Sequence, residues 1–194
     1  MDPLPQQPQY SHEEQLRAVD RFLREDEQLI DDLRMVRELG LPDACVAAGY
    51  IRNTVWDRLF GHSRRELHQD IDVVYFDPGD ETEARDFALE KRLIARTGNP
   101  KWSVKNQARM HIRNREAPYR DTADAMSRWP ETVTAIGAYI DDKDELHIVC
   151  PHGLTDLFAG VVRRSPFFTD HAYYLKRVRS KRWGELWPSL TILE

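Results

Sequence analysis

The run DIDVVYFD at residues 70–77 constrains the fold of this chain more than any other stretch. The residues after Asp72 are strong strand formers, and the Pro-Gly pair at 78–79 ends the strand. Because side chains alternate across a strand, Asp70 and Asp72 lie on one face, about 7 Å apart at Cα, while the residue between them faces a core. The stretch therefore predicts a strand that opens with two neighbouring carboxylates.

Two carboxylates this close repel each other, and a divalent cation removes that conflict. Mg²⁺ (or Mn²⁺) suits Asp70 and Asp72, because such an ion takes carboxylate oxygens and keeps open positions for water and phosphate. A solvated turn that happens to precede a strand is the alternative for an Asp pair taken alone. The pair becomes informative only together with the sequence upstream of it.

The sequence upstream predicts a phosphate-binding site, where the small apolar residues 44–48 are followed by Gly49. Residues 44–48 are long enough for a buried strand, and Asn53 is typical of the N-cap of a helix over 55–60. A strand, a glycine turn and a helix start place backbone N–H groups where phosphate can bind. Arg52 adds a cation with bidentate geometry for phosphate oxygens. A plain tight turn and a surface ion pair are the alternatives for Gly49 and Arg52.

A third strand is predicted over 102–112, with different side chains on its two faces. One face carries long polar residues, namely Lys105, Gln107, Arg109 and His111, and the other carries Val104, Asn106, Ala108 and Met110. Such a strand is either an edge strand or the wall of a site, and we favour the wall. Lys105 and Arg109 would then hold triphosphate opposite the acidic pair. Asn106 or Gln107 would supply neutral hydrogen-bonding groups.

Four motifs together resemble the bacterial "nucleotidyltransferase family protein" group, formerly a domain of unknown function, of the polymerase-β-like nucleotidyltransferase superfamily. They are GYIRNTVWD at 49–57, DIDVVYFD at 70–77, VKNQARMH at 104–111 and GLTDLF at 153–158. The resemblance covers roughly residues 41–190. The superfamily places a third carboxylate on a strand like 102–112, but this stretch contains neither Asp nor Glu. That departure puts the standard three-carboxylate mechanism in doubt.

Two classes of function follow from these residues and the resemblance. The first is an enzyme that transfers a nucleoside monophosphate from Mg-NTP to an acceptor, which is a small molecule, RNA or protein. Asp70 and Asp72 would be its catalytic metal ligands, and Gly49, Arg52 and Asn53 would cradle the triphosphate. The second is a non-catalytic nucleotide-binding or interaction protein that keeps the fold without the third carboxylate. A metal-dependent phosphodiesterase that uses the same Asp pair is a third, weaker possibility.

The rest of the sequence predicts an α/β (α+β) fold, with a mixed sheet flanked by helices around a nucleotidyltransferase-like core. Residues 1–10 are rich in Pro and Gln and predict a disordered tail. Residues 11–194 predict a single domain, in which 11–40 form a helical N-terminal layer of two helices. A helix over 81–97 and a hairpin over 131–150 follow.

Composition limits the partners and the location. The formal net charge of −5 argues against a nonspecific nucleic-acid binder. Cys45 and Cys150 lie in apolar runs, so we interpret them as buried residues rather than a disulfide or metal pair. The sequence has no apolar stretch long enough for a membrane span and no signal peptide, so we expect a cytoplasmic protein without a membrane partner.

The segment 163–190 is basic and aromatic. Such a mixture can bind nucleic acid through phosphate contacts and stacking, which makes it the best candidate for a polyanionic acceptor surface. We prefer a simpler interpretation, in which the aromatic residues dock on the core while the cations face solvent near the acidic end of the sheet.

Overall fold

The computed structural model describes residues 10–63 and 70–194, and a five-stranded sheet organises them. Its strands are β1 (Cys45–Ala47), β2 (Ile71–Tyr75), β3 (Trp102–Asn106), β4 (Gly137–Ile140) and β5 (Leu146–Val149). They lie in the order β3-β2-β1-β4-β5, and only β2 and β3 are parallel among these neighbours. The predicted mixed sheet is confirmed. The tail predicted over 1–10 lies outside the described residues, apart from its last position.

Helices and a small second sheet surround this sheet. The helices are α1 (His12–Arg24), α2 (Glu27–Arg37), α3 (Gly49–Leu59), α4 (Glu83–Thr97), α5 (Met110–Asn114), α6 (Thr122–Ser127), α7 (Thr155–Ala159), α8 (His171–Lys181) and α9 (Trp183–Leu186). The second sheet pairs β6 (Val161–Val162) with β7 (Thr191–Ile192) in parallel. No helix within 10–63 or 70–194 has the length and hydropathy needed to cross a bilayer.

The first two helices form the expected N-terminal layer. Ser11 and Glu14 make the capping box that starts α1, and the carboxylate of Asp26 caps α2. Leu23 of α1 and Leu33 of α2 are buried in the main core. Burial of these apolar stripes is what holds the layer on the sheet.

The two faces of the sheet have different surroundings. One face carries Val46, Val73 and Val104, which lie opposite one another across β1, β2 and β3 and belong to the main core. The other face carries Ala47 and Asp72, which also lie opposite each other. The helix α6 covers part of this second face. The register therefore explains the pattern predicted for β2, in which the Asp pair lies on the face opposite the buried apolar residues.

The helix α4 connects the two parallel strands and also closes the edge of the sheet. Two of its carboxylates accept hydrogen bonds from backbone N–H groups of β3: Glu90 from Val104 at 3.3 Å and Asp86 from Asn106 at 3.2 Å. An edge strand otherwise leaves these donors unpaired. The helix predicted over 81–97 is confirmed, with its start two residues later.

The helix α3 begins earlier than the sequence predicted. It starts at Gly49 rather than at residue 55, because Ala48 turns the chain with φ 58° and ψ −129°. This is a backbone conformation that residues other than glycine adopt only at a cost. Arg52 and Asn53 therefore lie in the first turns of a helix, and Asn53 is not its N-cap.

The strand predicted over 102–112 is wrong beyond Asn106. The Asn106 side chain accepts a hydrogen bond from the Ala108 N–H at 3.0 Å and starts a 3₁₀ turn, Gln107–Arg109. This turn leads directly into α5, so the alternation of side chains stops at Asn106. The hairpin is likewise shorter than predicted, because Thr132–Thr134 form another 3₁₀ turn and β4 begins only at Gly137.

Candidate active site

The carboxylates of Asp70 and Asp72 stand at the beginning of β2, beside small residues. Asp72 lies between Ala47 on β1 and Ser103 on β3. Ala47 in turn pairs with Gly137 on β4. A Cβ added to Gly137 would lie 2.7 Å from the Cys45 Sγ, so this position requires glycine. The residues beside Asp72 on β1 and β4 are therefore small, and the Cys45 side chain fills the space next to Gly137.

The two carboxylates repel each other, as the sequence predicted. Burial raises the pKa of Asp72, and the charge of Asp70 raises it further. The opposing influences come from Lys181, Arg177 and Arg52, which lower the same pKa. Asp70 itself is 79% exposed and pairs with Lys101 at 3.7 Å. Asp72 is thus the carboxylate that faces the cations of the site.

Arg52 is a buried cation rather than a surface ion pair. Its Nη1 donates to the Thr134 Oγ1 at 2.8 Å, and its Nη2 donates to the Asn53 Oδ1 at 2.7 Å. The guanidinium carbon lies 5.0 Å from the ring centroid of Trp56 and 4.5 Å from that of Trp183. Burial lowers the pKa of Arg52 to about 10, so the group stays charged at neutral pH. These contacts fix the cation in one position.

The start of α3 brings Gly49, Arg52 and Asn53 together. A Cβ on Gly49 would lie 3.7 Å from both the Arg52 Nη2 and the Asn53 Nδ2. Ala48 occupies the N-cap and has no side-chain oxygen to bond the first N–H groups of the helix. The positive end of a helix and a fixed guanidinium therefore lie side by side, which is an arrangement suited to an anion.

Two cations of α8, Arg177 and Lys181, were missed as site residues by the sequence reasoning. Both lower the pKa of Asp72. They share a helix face with the buried residues Tyr174 and Val178, since positions 174, 177, 178 and 181 have helical spacing. That spacing was the available signal. The aromatic residues of this segment dock on the core only in part, because Trp183 is 3% exposed but Tyr173 is 49% exposed.

Glu131 is a third residue that the sequence reasoning did not single out. Its side chain is fully buried. Its Oε1 accepts a hydrogen bond from the Arg177 Nε at 2.7 Å, and its Oε2 accepts one from the Thr134 Oγ1 at 2.8 Å. Thr134 is also the partner of Arg52. Glu131 therefore contacts one cation directly and a second cation through one hydroxyl.

The residues predicted to form a wall have other partners. By register Lys105 lies on the face of Asp72, yet its ammonium is 5.3 Å from the Phe87 ring centroid on α4. Arg109 forms an ion pair with Asp86, a nearly fully buried residue of α4. The predicted common face is therefore wrong for Arg109, because β3 ends before it.

The amides of this stretch also make structural contacts. The Asn106 Nδ2 donates to the backbone oxygens of Asp77 and Asp80 at 2.7 and 2.9 Å. Gln107 donates from its Nε2 to the backbone oxygen of Lys105 at 3.2 Å, so it too fails to share the predicted face. The structure does not bring either amide next to Asp72.

Another group of potential ligands lies in the β4–β5 turn, where ligand atoms of Asp141, Glu145 and His147 are within 4.8 Å of one another. The Asp141 carboxylate accepts hydrogen bonds from the N–H groups of Lys143 and Glu145, both at 2.9 Å. These bonds close the turn. Asp141 is therefore explained as a turn residue.

The donor set at β2 fits a hard divalent cation, since Asp70 and Asp72 offer carboxylate oxygens. Arg52, Arg177 and Lys181 are near enough to Asp72 to lower its pKa, and they offer positive charge for phosphate oxygens. An acidic pair next to several cations can hold a metal ion and a polyphosphate together.

Comparisons with known proteins identify the family. A family model described as nucleotidyltransferase matches residues 34–192. A structure described by its authors as revealing a CCA-adding enzyme head domain is 33% identical, covers 94% of this chain and 95% of that chain, and has a TM-score of 0.80. No curated protein matches the sequence.

Two larger enzymes share the fold. The Thermotoga maritima CCA-adding enzyme complexed with tRNA is 18% identical with a TM-score of 0.58, and a CCA-adding enzyme with CTP is 20% identical with a TM-score of 0.54. Each likeness covers 91% of this chain but only 42% and 43% of those chains, so this chain spans about four-tenths of their length. From the match over 34–192 and the 33% identity to the head domain, the chain belongs to the nucleotidyltransferase family of transferases.

Proposed function

We propose that residues 11–194 act as one domain that transfers a nucleoside monophosphate from an NTP to an acceptor, with Mg²⁺ or Mn²⁺. The observation that carries this proposal is the environment of Asp72, whose charge is disfavoured by a second carboxylate and favoured by three cations. A site with only carboxylates would favour a bare metal, and a site with only cations would favour a free anion. The combination favours a metal-bound polyphosphate.

Asp70 and Asp72 would hold the metal ion. When bound, it would bridge phosphate oxygens and neutralise charge that develops during transfer. A metal ion between Asp70 and Asp72 would also offset the electrostatic repulsion between the two carboxylates.

The phosphate groups would be held by the start of α3 and by α8. Gly49, Arg52 and Asn53 would contribute from α3, and Arg177 and Lys181 would contribute from α8. Arg52 is fixed before any ligand arrives, so it loses little freedom on binding. Lys105, Asn106, Gln107 and Arg109, proposed earlier as nucleotide-binding residues, have less support because their side chains have other partners.

The chemistry of the acceptor step is limited by β3, which has no acidic residue over Trp102–Asn106. A carboxylate on that strand would take the proton of an acceptor hydroxyl. We therefore expect a slow transfer, or an acceptor that is already a good nucleophile. The same feature favours the second candidate function, a nucleotide-binding protein without catalysis.

The test combines binding and turnover. Calorimetry with ATP, GTP, CTP and UTP, each with and without Mg²⁺, should show metal-dependent binding of at least one NTP. Asp72→Asn should abolish that dependence, whereas Asp142→Asn, a change in the exposed hairpin turn, should not. Failure of all four NTPs to bind, or equal binding by Asp72→Asn, would refute the site.

Turnover separates the two candidate functions. Release of pyrophosphate in the presence of small acceptors, tRNA or protein supports the transferase, and the acceptor that stimulates it identifies the substrate class. Metal-dependent NTP binding without pyrophosphate release from any of these mixtures supports the non-catalytic alternative.

A further inference from the structure

Glu131 links Arg177 on α8 to Arg52 on α3, the two helices proposed to hold phosphate. It lies outside the sheet, between α6 and a 3₁₀ turn, where its backbone pairs with Arg164 in an isolated bridge. Its carboxylate is fully buried, and burial of a charge is costly unless partners compensate for it. The partners are Arg177 and Thr134.

The hydrogen-bond directions around Thr134 are fixed by chemistry. A hydroxyl has one proton to donate, and the carboxylate of Glu131 can only accept. Thr134 therefore donates to Glu131 at 2.8 Å and accepts from the Arg52 Nη1 at 2.8 Å. The chain of contacts runs from Arg177 through Glu131 and Thr134 to Arg52.

The charges explain why such a link is needed. Arg177 lowers the pKa of both Arg52 and Lys181, because the three cations repel one another. Glu131 raises the pKa of the same two groups. The negative charge of Glu131 thus offsets part of the mutual repulsion among Arg52, Arg177 and Lys181.

We propose that Glu131 is a positioning residue that holds Arg177 directly, and Arg52 through Thr134, so that both guanidinium groups face the triphosphate. The proposal rests on the proposed function, because it assumes that the ligand at Asp70 and Asp72 is a polyphosphate. Glu131 is not the missing third acid, since both of its oxygens are already engaged by Arg177 and Thr134.

The test measures binding of inorganic tripolyphosphate with Mg²⁺ to the full chain, which requires no acceptor and no turnover. Thr134→Val removes the hydroxyl at nearly constant volume, and Thr134→Ser keeps it. Loss of one hydrogen bond to a charged group predicts about tenfold weaker binding for Thr134→Val, with Thr134→Ser close to wild type. Glu131→Gln should weaken binding more, because its single amide oxygen cannot accept from both the Arg177 Nε and the Thr134 Oγ1 and because it removes the charge that pairs with Arg177.

Unfolding midpoints for every variant establish that folded protein is compared. If Glu131→Gln does not fold, the Thr134 pair decides alone. Wild-type affinity in both Thr134→Val and a folded Glu131→Gln overturns the inference, and so does equal loss in Thr134→Val and Thr134→Ser. Failure of the wild type itself to bind any NTP or tripolyphosphate refutes the proposed function instead.

Discussion

At the scale of single residues, the proposed site centres on one carboxylate, Asp72, whose neighbours act on its charge in opposite directions. Burial and Asp70 disfavour its charge, and the cations on α3 and α8 favour it. The net result is a raised pKa. Without a metal ion, the ionised carboxylate is therefore a source of instability.

Asp72→Asn should raise the free energy of unfolding of the metal-free protein at pH 7, because the ionised carboxylate is less favourable in the folded chain than in the unfolded chain. The folded chain holds the Asp72 proton more tightly than the unfolded chain, so wild-type stability falls as pH rises from the ordinary carboxyl pKa of 3.8 through the raised pKa. Urea unfolding with EDTA at pH 7 measures the difference.

The control for this prediction is Asp142→Asn, which removes an equal charge from the exposed turn. A loss of several kcal/mol for Asp72→Asn without metal would contradict the prediction. That result would mean that the Asp72 carboxylate makes structural hydrogen bonds rather than serving as a metal ligand.

At the scale of elements, the end of β3 shows how a short polar motif can mislead. Lys105, Gln107 and Arg109 alternate as strand residues do, but Asn106 starts a turn that ends the strand. Arg109 then reaches α4, where Asp86 also accepts a hydrogen bond from the Tyr75 hydroxyl at 2.7 Å. The three groups fasten α4 to the end of the sheet.

Arg109→Gln should accordingly lower stability rather than nucleotide affinity. Removal of one partner from a buried ion pair costs about 3–5 kcal/mol, and the Arg109 side chain is only 12% exposed. Thermal unfolding and NTP titration of the same preparation test the two effects separately. If the variant has wild-type stability but binds NTP much more weakly, the prediction is wrong and Arg109 is a nucleotide-binding residue.

The local parts of the site were predictable, and the distant parts were not. Asp70 and Asp72 follow from strand alternation, which needs only neighbouring residues, and Gly49 with Arg52 follows from a helix start nearby. The contact between Arg177 and Glu131 joins residues far apart in sequence, and no local pattern encodes it. The positive φ of Ala48 is equally invisible, since alanine rarely adopts it.

At the scale of the whole molecule, the site joins α3 and β2 from the first half of the chain to α8 from the last part. Trp56 of α3 packs against Trp183 and Trp187, with ring centroids 6.1 and 5.1 Å away. This aromatic cluster lies directly beneath Arg52. Trp56 and Trp183, which hold Arg52, therefore also belong to the main core.

Ligand binding should consequently protect both halves of the chain at once. In hydrogen–deuterium exchange, Mg-NTP should slow exchange of amides in α3 and in α8 together, because both supply cations to one ligand. The helix α1, which supplies no group to the site, should change little. Protection confined to α3 would show that α8 does not take part.

The position of α8 also has a consequence for protein synthesis. A ribosome releases Asp70 and Asp72 long before it releases Arg177 and Lys181, and folding begins from the part already made. The emerging polypeptide thus presents an acidic pair without the cations that complete it. Under the proposed function, NTP binding requires translation of α8, and a chain truncated before that helix should bind NTP more weakly than the full chain.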